Sequence, residues 1–210
     1  TIKLWFKPED SGFPNWGMLT AIQDHSSQIT NPSYGLALWW YESKIYLYAS
    51  SDGTASDIAH AGNDATKRSS ALSLDWHHVC LTRSSNDWYL YVDGVLQFTF
   101  YSTASIFWNS LCGVSIGNGD TNYQNTETRK KYSFKGHINE VKITNNSSTG
   151  EVEGEHVKDA NTKLLIPMRG FRDASNSDHK ITVKGNTASY PNEQHDLDFS
   201  GSAYFDGVAS

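Results

Sequence analysis

Trp76-His77-His78-Val79-Cys80-Leu81-Thr82-Arg83, Ser84-Ser85-Asn86-Asp87 and Trp88-Tyr89-Leu90-Tyr91-Val92-Asp93-Gly94-Val95-Leu96-Gln97-Phe98 follow one another in mid-chain, and their reading decides the fold. The two arms are rich in β-branched and aromatic residues and bounded by Ser, Asn, Asp and Gly, the composition of strands joined by local turns. Asp93-Gly94 is a two-residue hairpin signal. A turn that matches strand twist needs positive φ, which Gly adopts freely and Asp more readily than most residues. A meander of three antiparallel strands is expected.

Working outward, Ile2, Leu4 and Phe6 alternate with Lys3, Trp5 and Lys7 up to Pro8, a strand with one apolar face. Residues 18–23 read as a strand, and residues 34–40 pair naturally with 45–49 through Glu42-Ser43-Lys44. Trp39 and Trp40 then face opposite ways: one enters the core, and the other lies on a sheet face where a sugar ring could stack, or packs under a loop or another subunit. Residues 50–72 are polar, with at most a helical turn near Ile58-Ala59-His60, and carry Asp52, Asp57, Asn63 and Asp64. Long loops of this kind often bind ligands. Downstream, residues 111–116 form a strand. Along 134–143 the apolar phase slips by one between Ile138 and Val141, which a β-bulge near Asn139-Glu140 would absorb.

At 210 residues, 38% hydrophobic and 19% charged, the chain describes one folded domain with a polar, largely uncharged surface. The net charge of −6, with Arg129-Lys130-Lys131 as the one basic cluster, argues against nucleic-acid binding. No apolar run reaches the roughly 20 residues of a membrane helix, so no membrane insertion is expected. Thr1 falls inside a strand pattern, as expected of a piece of a longer or processed polypeptide. Cys80 and Cys112 fit either two small buried residues or a single cross-strand disulfide.

The Trp-His-His-Val run at 76–79 and Leu-Tyr-Val-Asp-Gly at 90–94 resemble the signature of laminin-G-like domains, members of the concanavalin A-like lectins and glucanases that also include pentraxins. Phe134-Lys135-Gly136-His137-Ile138-Asn139-Glu140-Val141-Lys142-Ile143 is similar to the family's closing strand, with Asn139 where the family usually has Asp. The resemblance covers about residues 1–146 and implies an all-β jelly-roll sandwich of two antiparallel sheets. Pentraxins carry a cysteine at a position resembling Cys80, but its partner would fall in a strand resembling residues 2–7, where this chain has none. Residues 147–160 have linker composition. Residues 161–210, with Leu164-Leu165, Asp173-Ala174-Ser175, a His179 strand and Tyr204-Phe205-Asp206-Gly207, resemble the start of the same fold. They are expected to complete a sandwich in cis or in a neighbouring subunit.

The loop after Gly117 resembles, in position and oxygen content, the calcium-ligand loop of pentraxins. Asn118, Asp120, Asn122 and Gln124 are the candidate ligands, with a further carboxylate from Asp52 or Glu140, and a plain solvated loop is the alternative. The Glu-x-Asp-x-x-Glu arrangement of the retaining glucanases is absent, and His77 and His78 precede no nucleophile elbow, so the chain is expected not to be an enzyme. Trp16, Trp40, Trp108 and Tyr123 are the candidate sugar-stacking residues. The expected function is non-catalytic recognition of a glycan or cell-surface ligand at an extracellular or virion surface. The runner-up is a structural assembly module that self-associates through the C-terminal segment, and a glycoside hydrolase is third.

Overall fold

The computed structural model describes residues 1–12, 15–24, 34–110, 112–117, 132–167, 171–183, 188–190 and 202–206. The strands are β1 (Ile2–Pro8), β2 (Gly17–Asp24), β3 (Tyr34–Tyr41), β4 (Lys44–Ala49), β5 (Ala59–His60), β6 (His77–Ser84), β7 (Asp87–Val92), β8 (Val95–Tyr101), β9 (Cys112–Ile116), β10 (Lys135–Thr144), β11 (Thr162–Ile166), β12 (Ala188–Tyr190) and β13 (Ser202–Asp206). They form two antiparallel sheets, an eight-stranded one in the order β12-β13-β10-β1-β6-β7-β8 with β11 also on β10, and a five-stranded one in the order β5-β4-β3-β2-β9. Ile2, Leu4 and Phe6 of β1 point into the space between the sheets with Leu36, Leu38 and Trp40 of β3. This is the two-layer jelly-roll sandwich that the family resemblance implies. No helix among the described residues is long and apolar enough to cross a membrane.

The meander is present as β6, β7 and β8. Asp93 (φ 50°) and Gly94 (φ 76°) both sit in the left-handed region, as a two-residue primed turn demands. The Asp93 carboxylate accepts from the His78 backbone N–H at 2.8 Å and meets His77 Nδ1 at 2.7 Å. Burial works against the charge on both side chains, yet the pairing outweighs it, holding Asp93 below and His77 above its ordinary value. The two histidines therefore brace the hairpin. Asp93→Ala should cost about 2 kcal/mol, since it removes two acceptors and places alanine at positive φ. Denaturant midpoints read this directly, and Asp93→Asn should retain most of the stability.

The bulge in β10 is also present. Lys3 pairs with Lys142 and Trp5 with Asn139, leaving Glu140 and Val141 opposite Leu4, with Glu140 at φ 55°. The extra residue returns both Ile138 and Val141 to the core, where each is 0% exposed. One edge of β10 pairs with β1. The other pairs first with β13, over Lys135 to Ile138, and then with β11, over Val141 to Thr144. The C-terminal segment thus supplies strands to the sheet of its own chain. Asp173 organises the turn after β11 by accepting from the backbone N–H groups of Leu165, Ser175 and His179.

Three local features differ from expectation, and of the two readings open for the cysteines the unbonded one holds. Ala59-His60 is a short strand rather than a helical turn, and the helical turn, a 3-10 one at Ala65–Lys67 capped by Asp64, lies further on. Residues 179–183 are not paired as a strand, whereas Ala188–Tyr190 are. Cys80 is buried, Cys112 half-buried, and the two are not bonded to each other. Residues 147–160, despite their linker composition, form a strap across the outer face of the eight-stranded sheet. The Trp5 indole donates to the Glu153 carbonyl at 3.0 Å, Lys3 meets the Glu153 carboxylate, and the His156 N–H donates to Glu140 Oε2 at 2.7 Å. A polar segment packs there because that sheet face is itself polar and supplies its partners.

Candidate functional site

Strand alternation places two different sets of side chains on the five-stranded sheet. Leu36, Leu38 and Trp40 of β3 and Ile45 and Leu47 of β4 point inward, so Ala37, Trp39, Tyr41, Tyr46 and Tyr48 point outward. Outside the inter-sheet core they form a second aromatic cluster with Trp16, Tyr34 and Tyr132. Trp16 stacks flat on Tyr41 (centroids 4.1 Å apart, 3° between planes) and meets the rings of Trp39, Tyr46 and Tyr48 edge-on at 6.3, 4.9 and 6.0 Å. Trp39 and Tyr46 form the base at 8% and 2% exposure, and Trp16, Tyr34, Tyr41, Tyr48 and Tyr132 are half-buried around them.

Polar groups border this face. Arg68 lies over the Tyr46 ring at 4.8 Å and donates to the carbonyls of Ala61 and Gly62. The Tyr46 hydroxyl donates to Glu42, and Tyr34 and Ser56 share a hydrogen bond at 3.1 Å. Burial raises the Tyr48 phenol to about 12, so it stays protonated and able to donate at neutral pH. Gln23 donates to the Ser115 hydroxyl, while its own Oε1 is buried without a partner. Aromatic faces beside mixed donors and acceptors form a surface complementary to a polyhydroxylated ring, whose C–H face stacks and whose hydroxyls hydrogen-bond.

Of the sequence candidates, Trp16 belongs to this cluster. Trp40 does not: it is 1% exposed in the inter-sheet core, donates its indole N–H to the Asp10 carbonyl, and packs on Phe6. The outward position belongs to Trp39, because Trp40 shares its sheet face with Leu36 and Leu38. Trp108 is 62% exposed, directly after Phe107, which packs across Gly35 and Gly53 near the start of β3. Tyr123 and the calcium candidates Asn118, Asp120, Asn122 and Gln124 lie outside the described residues. Among the described residues no group of three or more His, Cys, Asp or Glu side chains is placed to hold a metal ion.

The two carboxylates considered as further calcium ligands are committed locally. Asp52 accepts from Thr54 and Ala55, and those hydrogen bonds lower its carboxyl to about 2. Glu140 accepts from His156. Sequence reading missed Tyr41, Tyr46 and Tyr48, although their alternation with the apolar residues of β3 and β4 was visible, and it missed Tyr34, which is in phase with Leu36 and Leu38 and joins the outer cluster across an irregularity in the β2–β3 register.

Known proteins bear this architecture out. A structure of a "putative carbohydrate binding protein" from Bacteroides ovatus ATCC 8483 superposes with a TM-score of 0.54 at 14% identity, over 99% of this chain. This chain spans about half, 52%, of that one, and at such identity the likeness is one of fold. No curated protein matches the sequence. The family model of the concanavalin A-like lectins and glucanases matches residues 1–151, well over half of the chain. With its paired antiparallel sheets and the Trp76 to Gly94 meander, the chain belongs to the concanavalin A-like lectin/glucanase superfamily.

Proposed function

We propose that the chain is a non-catalytic glycan-recognition module, part of a larger surface or virion protein, whose binding face is the outward surface of the five-stranded sheet. The observation that carries this reading is the aromatic cluster itself. Trp16, Trp39, Tyr41 and Tyr48 are not consumed by the inter-sheet core, and donors and acceptors surround them. The fold family and the name of the Bacteroides ovatus protein support the same class of ligand. Hydrolysis is disfavoured because Glu140 of β10 and Glu153 of the strap, carboxylates on the outer side of the large sheet, are bonded to His156 and to two lysines.

The test is a glycan array probed with the 210-residue chain, with calcium and with a chelator, beside Trp16→Ala. Binding should fall at least about tenfold in the variant, roughly 1.4 kcal/mol, while circular dichroism shows the variant still folded at the assay temperature. Loss of binding with the chelator would add calcium at the loop after Gly117 to the reading. Binding unaffected by Trp16→Ala would overturn the assigned face.

A second reading is assembly by exchange of residues 161–210 between copies. It is favoured by β11 and β13, which together occupy one edge of β10. A concentration-dependent dimer in light scattering, with no glycan bound on the array, would select it.

A further inference from the structure

The outer face of the eight-stranded sheet, on the other side of the sandwich, holds a recess of about 600 Å³ between the strands and the strap. That volume lies in the range of small-ligand pockets. Its floor carries Lys3 of β1 and Lys142 of β10, 5% and 6% exposed, a burial that ammonium groups tolerate only when paired. Glu153 of the strap pairs with both, and Asp159 stands 3.5 Å from Lys142. Tyr89 and Tyr91, two positions apart on β7, stand on one face with centroids 6.3 Å apart and 23° between planes. Tyr91 presses against Gly150, where a Cβ would lie 2.3 Å from the ring, so that ring fixes the strap. Tyr89 lines the recess beside it, and Ser147, Ser148 and Thr149 add hydroxyls along the strap.

The geometry points to a second binding site here, for the end of a neutral saccharide. An ammonium and a carboxylate held side by side, as in Lys3 and Glu153, match a vicinal diol: one hydroxyl oxygen accepts from the ammonium and the neighbouring O–H donates to the carboxylate. A tyrosine face next to such a pair accommodates the apolar side of the ring. The lining has two lysines against three carboxylates, Glu151, Glu153 and Asp159, so an anionic sugar or a phosphate meets net repulsion. The strap residues that read as linker are thus the wall of a pocket. This site does not depend on the aromatic face opposite, and either can fail alone.

The test is titration of the isotope-labelled 210-residue chain with lactose, maltose, cellobiose and N,N′-diacetylchitobiose, with sialyllactose as the anionic control, followed by amide NMR shifts. At least one neutral disaccharide should shift residues 146–153 and the amides of β7. Its affinity should fall at least about tenfold in Tyr89→Ala and persist in Tyr89→Phe and in Trp16→Ala. Shifts absent from the strap with all four sugars would overturn the site, since that measurement uses the unaltered protein. Tighter binding of sialyllactose would overturn the neutral class. Shifts confined to the residues around Trp16 would leave the aromatic face standing and remove this site.

Discussion

Phe205→Ala is expected to lower the stability of the entire sandwich by about 3–5 kcal/mol, the cost of emptying a large aromatic position in a packed core. Phe205 belongs to β13, close to the end of the sequence, and a loosely appended segment would show no such effect. The residue is 8% exposed and shares the main core with Ala203, Ile138 and Phe6. Its ring lies on Gly117, at φ 71°, where a Cβ would fall 2.2 Å away, so the ring fills a seat that only glycine leaves open. β13 also pairs with β10, placing Phe205 opposite Gly136. Urea denaturation followed by tryptophan fluorescence should give a single transition with a lowered midpoint. A midpoint equal to that of the unaltered chain would mean that the core is complete without β13. Gly117→Ala should destabilise in the same direction, through the same contact and its positive φ.

Much of the large sheet was legible because its signals are local. The alternation of β1, the Asp93-Gly94 turn and the one-residue phase slip at Asn139-Glu140 each depend on neighbours in sequence, and all three appear where expected. The Trp39-Trp40 pair shows the limit. Alternation dictates that the two rings point oppositely, but which one enters the core depends on which face of β3 meets the opposite sheet. Leu36 and Leu38 settle that in favour of Trp40, and the same phase reading extended to Ile45 and Leu47 puts Tyr46 and Tyr48 outside.

The strap was illegible for a different reason. Its composition, rich in Glu, Gly and Ser, is that of a solvated linker, and its partners lie far away in sequence: Lys3 meets Glu153, and His78 meets His156. No periodicity marks a segment held by individual polar contacts. The polar stretch 50–72 is similar. Asp52, Asp57 and Asp64 read as polar groups of a long loop of the kind that often binds ligands, with Asp52 a candidate carboxylate for calcium, yet each is engaged in a local hydrogen bond, with Thr54, Ser51 and Thr66 respectively. Asx turns are written in the sequence, but they compete with a binding role for the same residues.

Acidification from pH 7 to pH 4.5 is expected to remove about 3 kcal/mol of stability through His156, which anchors the strap. The ring is 2% exposed, and its Nε2 lies 3.3 Å from Nε2 of His78, itself fully buried under Trp5. One neutral imidazole donates and the other accepts. A further proton has no favourable place, since His156 Nδ1 is buried without a partner. Burial is the largest cause of its depressed pKa, about 2; the neighbouring His78, Lys3 and Lys142 lower it further, and the Glu140 backbone opposes them only in part. The unfolded chain takes up a proton near pH 6.5 and the folded chain does not, so this contribution is complete above 6.5 and falls by about 1.4 kcal/mol per pH unit below it. His77 works the other way: its raised pKa adds a little stability as pH falls towards 6.5 and nothing more below that. The window from 6.5 to 4.5 also lies above the titration of Asp93, Asp159 and Asp173, all held below the ordinary carboxylate value. Denaturant midpoints across this window should fall markedly less steeply in His156→Gln than in the unaltered chain, since the variant keeps the backbone N–H bond to Glu140 but has no proton to gain at this position. Equal slopes in the two proteins would show that the acid sensitivity arises elsewhere.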